Sequence, residues 1–189
     1  RAIVSAFLLL VGVGLSLAHR DGIRWRPFWR RFAIILGAAL LTTAGTYVVF
    51  PQYFVYFGIL HAIALFSLMG LAFVRAPLWA VALVIAAVML PPLFISEPGM
   101  AAKPLSWIGF WPFPPMTTDI VPIFPWFGLT LIGIFLTRLL RGRTGAPRRP
   151  AGPLVRGLAF LGRWSLLIYL VHQPLIYGGL SLLSPPPPD

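Results

Sequence analysis

The chain has 189 residues, 59% of them hydrophobic and only 10% charged, with a mean hydropathy of +0.89. A soluble domain carries about 25% charged residues, so these proportions exclude an ordinary water-soluble fold and predict an all-α, polytopic integral membrane bundle. The lack of cysteine excludes disulfides, thiolate ligands and a cysteine nucleophile, and the net charge of +11 does not mark a nucleic-acid binder, because its placement follows membrane topology.

Six apolar runs come close to the roughly 20 residues that cross a hydrocarbon core: 2–18, 32–50, 54–74, 77–95, 121–140 and 164–183. They predict one transmembrane domain over 1–183 and a proline-rich tail over 184–189, extended because consecutive prolines cannot continue a helix. The first run abuts Arg1 with no polar lead and no initiator Met, so the chain is expected to be N-terminally truncated. Gly12, Gly14 and Ser16 lead into a basic loop and not into a cleavage site, which argues against a signal peptide. Ser5, Gly12 and Ser16 share one side of the run and permit close helix approach.

The loop over 19–31 carries Arg20, Arg24, Arg26, Arg30 and Arg31 interleaved with Trp25, Phe28 and Trp29. Two readings stand. The arginines orient the chain and attract anionic lipid head groups, or they bind a phosphorylated donor, since guanidinium forks grip phosphate and tryptophan stacks on a purine. With Arg75, the run from Arg138 to Arg156, and Arg163, these charges fall in alternate loops. That pattern predicts that the basic loops face the cytoplasm.

His61 lies in the third run, an ionisable group at membrane depth and hence a candidate for chemistry. At about 1.5 Å per residue it is expected roughly 10 Å below the outer end of its helix. Gly58 and Ala62 beside it form a small-xxx-small pair, which turns His61 toward the bundle; a structural role as interhelical glue is the competing reading. The segment 96–120 alternates Trp107, Phe110, Trp111 and Phe113 with Pro112, Pro114 and Pro115. It reads as an interfacial anchor or as a lid over an outward-facing cavity. Asp119 is expected at the mouth of that cavity, where a carboxylate orients an imidazole or receives a sugar hydroxyl or amine; alternatively it caps the helix that follows. Trp126, just beyond, is assigned to the cavity wall.

In the last run Ser165, Tyr169 and His172 recur at i, i+4 and i+7 and form one polar stripe, followed by Gln173 and the helix-bending Pro174. His172 is expected roughly 16 Å below the outer end. No HExxH, Walker loop, GxSxG or GxGxxG occurs, so no metal is expected.

The blocks Phe7-Leu8-Leu9-Leu10-Val11-Gly12-Val13-Gly14-Leu15-Ser16, Phe28-Trp29-Arg30-Arg31, Phe57-Gly58-Ile59-Leu60-His61-Ala62-Ile63-Ala64, Asp119-Ile120-Val121-Pro122-Ile123-Phe124-Pro125-Trp126-Phe127-Gly128 and Gly162-Arg163-Trp164-Ser165-Leu166-Leu167-Ile168-Tyr169-Leu170-Val171-His172-Gln173-Pro174 resemble bacterial members of the heparan-alpha-glucosaminide N-acetyltransferase catalytic-domain family. The resemblance spans nearly the whole chain. The last block is shared with a wider group of transmembrane acyltransferases, and the Gly-Ile-Leu-His and Pro-x-x-Pro-Trp-x-Gly blocks are the more specific. The resemblance implies a membrane enzyme that moves acetyl from cytoplasmic acetyl-CoA to an amine or hydroxyl of an extracytoplasmic sugar. Family members begin with a further helix bearing Asp-x-x-Arg-Gly, followed by the histidine held to be catalytic. Neither lies within this chain, so that histidine maps onto neither His61 nor His172.

The expected function is therefore a membrane acetyltransferase with acetyl-CoA as co-substrate, a carbohydrate acceptor, lipid neighbours, no nucleic acid and a surface compatible with a homo-oligomer. Its candidate catalytic residues are His172, His61 and Asp119; Arg20, Arg24, Arg30 and Arg31 are candidates for the donor phosphates, and Ser165, Tyr169, Gln173 and Trp126 for the substrate cavity. Two rivals are a transporter or lipid-handling protein with a histidine-lined path, and a non-catalytic membrane module.

Overall fold

The computed structural model describes residues 1–141. They form five helices: α1 (Ala2–Ala18), α2 (Trp25–Val49), α3 (Ile59–Phe73), α4 (Leu78–Met89) and α5 (Ile123–Arg141), with short 3-10 turns at Pro91–Leu93 and Pro98–Ala101. Among the described residues no β-strand occurs; one parallel bridge joins Phe57 and Ile120. Two helices, over Trp25–Val49 and Ile123–Leu140, are long and apolar enough to cross a membrane, while α1, α3 and α4 are apolar but shorter. The run over 164–183 and the proline-rich tail lie outside the described residues.

Glycine and proline set the breaks. α1 stops before a turn in which Gly22 adopts φ +142, a conformation that only glycine holds without strain. α4 stops at Pro91 and Pro92, which cannot donate to the helix and crowd the preceding turn. At the start of α5, Phe124 is non-helical (φ −93, ψ 125), because the residue before a proline is driven out of the α region.

Three boundaries differ from expectation; one is the end of α4, at Met89 and not near 95, where Pro91 and Pro92 stop the helix. α2 begins at Trp25, not near 32, so Arg26, Arg30 and Arg31 stand on its first two turns and not in a loop. Pro27 is harmless there, since the first N–H groups of a helix have no intrahelical partner. α3 begins at Ile59, not 54, because residues 53–57 run extended beside 117–121: the Thr118 N–H donates to Tyr53 O (3.0 Å) and the Val121 N–H to Phe57 O (3.1 Å).

The core forms where α1, α3 and α5 meet. Leu8, Phe66, Phe127, Leu131 and Ile134 are fully buried, and the Phe66 and Phe127 rings lie 5.3 Å apart. α1 and α5 touch backbone to backbone: a Cβ on Gly12 would run into the Thr130 carbonyl, and one on Gly133 into the Leu9 carbonyl. Thr130 Oγ adds a bond to Leu8 O at 3.2 Å. Small residues and an interhelical hydrogen bond are what hold helices together in lipid, where apolar burial alone supplies no preference. Of the small face expected on α1, Gly12 and Ser16 are buried and Ser5 is half-buried.

α3 is held at both ends by the chain around α5. Asp119 Oδ2 accepts from the Ile59 N–H at its start (2.8 Å), and Arg138 Nη1 donates to Phe73 O (3.0 Å) and Ala76 O at its finish. An anion at the N-terminus and a cation at the C-terminus both complement the helix macrodipole.

Candidate functional site

His61 occupies the first turn of α3, only about 3 Å along the axis from its start and not the roughly 10 Å expected from a helix beginning at 54. Its Nε2 is 3.3 Å from Thr43 Oγ1 on α2. Thr43 Oγ1 is also 2.7 Å from the Val55 carbonyl, and Thr46, one turn on, accepts from the Val55 N–H at 3.0 Å. Thus two threonines of α2 satisfy both peptide groups of Val55, a buried residue in the extended stretch that precedes α3. The His61 Nδ1 atom is buried and has no hydrogen-bond partner among the described residues.

Asp119 does not cap the helix that follows it. Its carboxylate instead caps α3, the helix that bears His61, through Ile59. Gly58 makes this approach possible, since a Cβ there would collide with Asp119 Oδ2 and come within 2.6 Å of Val55 Cγ1. Gly58 therefore serves the carboxylate, whereas its expected small-pair partner Ala62 is fully buried. Burial pushes the Asp119 carboxyl above its ordinary value, with the Ile59 N–H acting in the opposite direction. Thr117 Oγ1 donates to Phe54 O (2.9 Å), which adds a further tie between the two extended stretches.

The segment before Asp119 folds on itself and onto these stretches. Ser106 is fully buried; its hydroxyl donates to Lys103 O (3.1 Å), so the 2.7 Å contact with Tyr56 is a bond donated by the phenol. Trp111 Nε1 donates to Ser106 O, Trp107 packs 6.1 Å from Phe57, and the Lys103 ammonium sits 5.0 Å over the Phe54 ring. The Ile123 and Phe124 N–H groups bond to the Trp107 and Ile108 carbonyls, joining the segment to the start of α5. Trp126 is half-buried on the first turn of α5.

Beside the middle of α3 lies a cavity of about 220 Å³, bounded by α1, α2 and α3. Its polar lining is His19, Arg24, Arg31 and Ser67, and Phe28 and Phe32 supply aromatic walls. Of the four arginines expected to meet a donor, Arg24 and Arg31 line this space; Arg20 is exposed and lies 3.7 Å from Asp21, and Arg30 is exposed and outside the lining. His19 closes α1 and is 5% exposed. Its Nδ1 contacts Leu15 O at 3.0 Å, and a carbonyl only accepts, so Nδ1 carries a proton. The cavity also touches Ala64, one turn beyond His61 along α3.

Three residues of these sites escaped the sequence reading. His19 sits at the membrane edge of its run, where a histidine carries no burial signal. Thr43 and Ser106 are neutral hydroxyls whose partners are distant in sequence. His172, Ser165, Tyr169 and Gln173 lie outside the described residues.

The family model described as heparan-alpha-glucosaminide N-acetyltransferase, catalytic, matches residues 1–174. No curated protein and no solved structure matches the chain.

Proposed function

Since the chain belongs to the heparan-alpha-glucosaminide N-acetyltransferase catalytic family, membrane proteins of acetyltransferase type, we propose that it takes acetyl from acetyl-CoA and delivers it to an amine or hydroxyl of a sugar on the far side of a bacterial inner membrane. The observation that carries this reading is the cavity between the basic end and α3. Arg24, Arg31 and His19 converge on it with no acidic residue in the lining, which suits the phosphates of the donor, and Phe28 and Phe32 offer faces to its apolar parts. The same cavity reaches Ala64, about 4.5 Å along the axis from His61. The donor thioester is in this reading directed toward that histidine, while the arginines hold the cytoplasmic end.

A histidine serves as the general base; within this chain His61 and His172 are the candidates, neither of them the position that family members are held to use. As the acceptor nitrogen or oxygen attacks the acetyl carbonyl, a new C–N or C–O bond forms, the C–S bond breaks, and the acceptor proton moves to the imidazole. The thiolate leaves and is reprotonated. Tyr56, Trp107 and Trp111 near the first turn of α3 supply surfaces on which a sugar ring stacks, and Asp119 ties the segment that carries the two tryptophans to the start of α3. Ser165, Tyr169, His172, Gln173 and Trp126 are proposed substrate-cavity residues.

The test is transfer from radiolabelled acetyl-CoA to glucosamine and to hydroxyl sugars by the full-length protein in liposomes. His61→Ala should lower kcat by roughly 10²- to 10⁴-fold, the usual contribution of a general base. Arg24→Gln and Arg31→Gln should raise KM for the donor with a smaller effect on kcat. Undiminished kcat in the histidine variant would overturn the assignment of His61.

A further inference from the structure

We infer that the face of α2 turned away from the cavity is a binding site for an anionic phospholipid, its phosphate held by Arg26 and Arg30. Helix phase divides the start of α2 in two. At about 100° per residue, Arg24, Phe28, Arg31 and Ile35 fall on one side and line the cavity. Trp25, Arg26, Trp29 and Arg30 fall on the other, and all four are exposed. Among the described residues neither Arg26 nor Arg30 has a carboxylate within ion-pair distance. The sequence offers few: its acidic residues are Asp21, which lies against Arg20, then Glu97, Asp119 and the terminal Asp189. Asp119 caps α3 at the level of Thr43, roughly 20 Å along α2 from Arg30. The outer face therefore carries positive charge that its neighbours leave unmatched, and it draws an anion from its surroundings.

The remainder of the same face says what those surroundings are. Beyond Arg30 it continues through Ala33, Ile34, Gly37, Leu40 and Leu41, all exposed and all apolar, on a helix long and apolar enough to cross a membrane. A charged stretch followed by an apolar one matches a phospholipid from head group to acyl chains. Arg26 and Arg30 stand one turn apart, with Cβ atoms about 5–6 Å from each other, so two guanidinium forks can close on one phosphate. Trp25 and Trp29 flank them at 55% and 48% exposure, and indoles settle at head-group height. Trp29 is braced there by Phe28 and Phe32, whose ring centroids lie 5.5 and 5.4 Å away. A soluble phosphate would gain nothing from Ile34, Leu40 and Leu41, whereas acyl chains cover them. The arginines of α2 thus serve two anions, one on each side of the helix.

The test is lipid binding by the full-length protein in neutral detergent at physiological salt, titrated with phosphatidylglycerol or phosphatidylcholine and read as bound lipid by native mass spectrometry. Wild type should retain phosphatidylglycerol in preference to the zwitterionic lipid. Arg26→Gln combined with Arg30→Gln should weaken phosphatidylglycerol by roughly 30-fold, the effect of two arginines at an anionic membrane surface, and Arg26→Lys with Arg30→Lys should keep most of the affinity. Arg24→Gln with Arg31→Gln removes the same charge from the opposite side of a helix about 10 Å wide, where salt screens it, and should change the affinity by no more than about threefold. Excess inorganic pyrophosphate should not displace the lipid. An equal loss in the two glutamine pairs would reduce the site to diffuse charge, full retention in the Arg26 and Arg30 pair would place the lipid elsewhere, and displacement by pyrophosphate would make this a site for soluble phosphate; each of these overturns the inference.

Discussion

The contact between Gly58 and Asp119 can be tested as a pair. A methyl group introduced by Gly58→Ala lands on Asp119 Oδ2 and lies 3.1 Å from its Cγ and 2.6 Å from Val55 Cγ1. To regain van der Waals distance the carboxylate must retreat by roughly 1 Å, which takes its 2.8 Å bond to the Ile59 N–H out of hydrogen-bonding range. The single substitution should then cost an overpacking term of about 1–3 kcal/mol together with a lost cap of about 0.5–2 kcal/mol. Asp119→Ala alone loses the cap but also removes a half-buried carboxylate, so its cost should stay near the lower end of that capping range. In the double variant the clash with the carboxylate is gone and only the Val55 contact remains. The two changes should therefore fall short of additivity by about 1–2 kcal/mol, the range of directly coupled neighbours. Unfolding free energies of the four proteins in mixed micelles, titrated with a denaturing detergent, measure this. Additivity to within about 0.5 kcal/mol would refute the packing of Asp119 on Gly58.

Asp119→Asn keeps an acceptor for Ile59 and removes the charge. Because burial raises the Asp119 carboxyl, its contribution to stability is fully present below its unfolded value near 3.9 and is lost as pH rises through the folded one. The asparagine variant should thus gain most over wild type at neutral pH, and thermal melts should show that gain shrinking on acidification. Arg138→Met removes charge-assisted bonds to the Phe73 and Ala76 carbonyls and should destabilise by about 1.5–3 kcal/mol; Arg138→Lys should recover part of it, as micelle unfolding will report. Gly133→Ala drives a methyl into the Leu9 carbonyl and should cost about 1–3 kcal/mol by the same measurement, whereas Gly14→Ala, where a Cβ meets nothing within 4 Å, should be neutral or mildly stabilising.

The apolar runs made the helices legible, because a 20-residue hydrophobic stretch has few other uses. The close face of α1 was legible too, since Gly12 recurs with Ser16 at helical spacing. The start of α2 was not, because a cluster of arginines and tryptophans reads as a loop even when it forms the exposed first turns of a helix. The start of α3 was hidden for a different reason: residues 53–57 are apolar enough to be helical, and only their pairing with 117–121, some 60 positions away, keeps them extended. Asp119 shows the same limit. Its neighbours in sequence suggest a local cap, while its actual partner, Ile59, belongs to another helix. Both basic residues that reach the cavity were among those expected, but the division of Arg24 and Arg31 from Arg20 and Arg30 depends on helix phase and on an Asp neighbour.

The double tether on α3 divides the bundle mechanically. With its two ends bound to the stretch from Asp119 to Arg138, α3 cannot slide along α5 without breaking charged contacts at both extremities at once, and α1 is locked to α5 through Gly12 and Gly133. These three helices act as one frame. α2 is attached differently: four of its 25 residues are buried, and beside His61 it is joined by neutral threonine bonds alone. α2 is also the wall of the cavity that carries Arg24 and Arg31. A ligand that widened that space would displace the arginines and Thr43 together, so its arrival at one end would be felt as a changed hydrogen bond on the imidazole at the other.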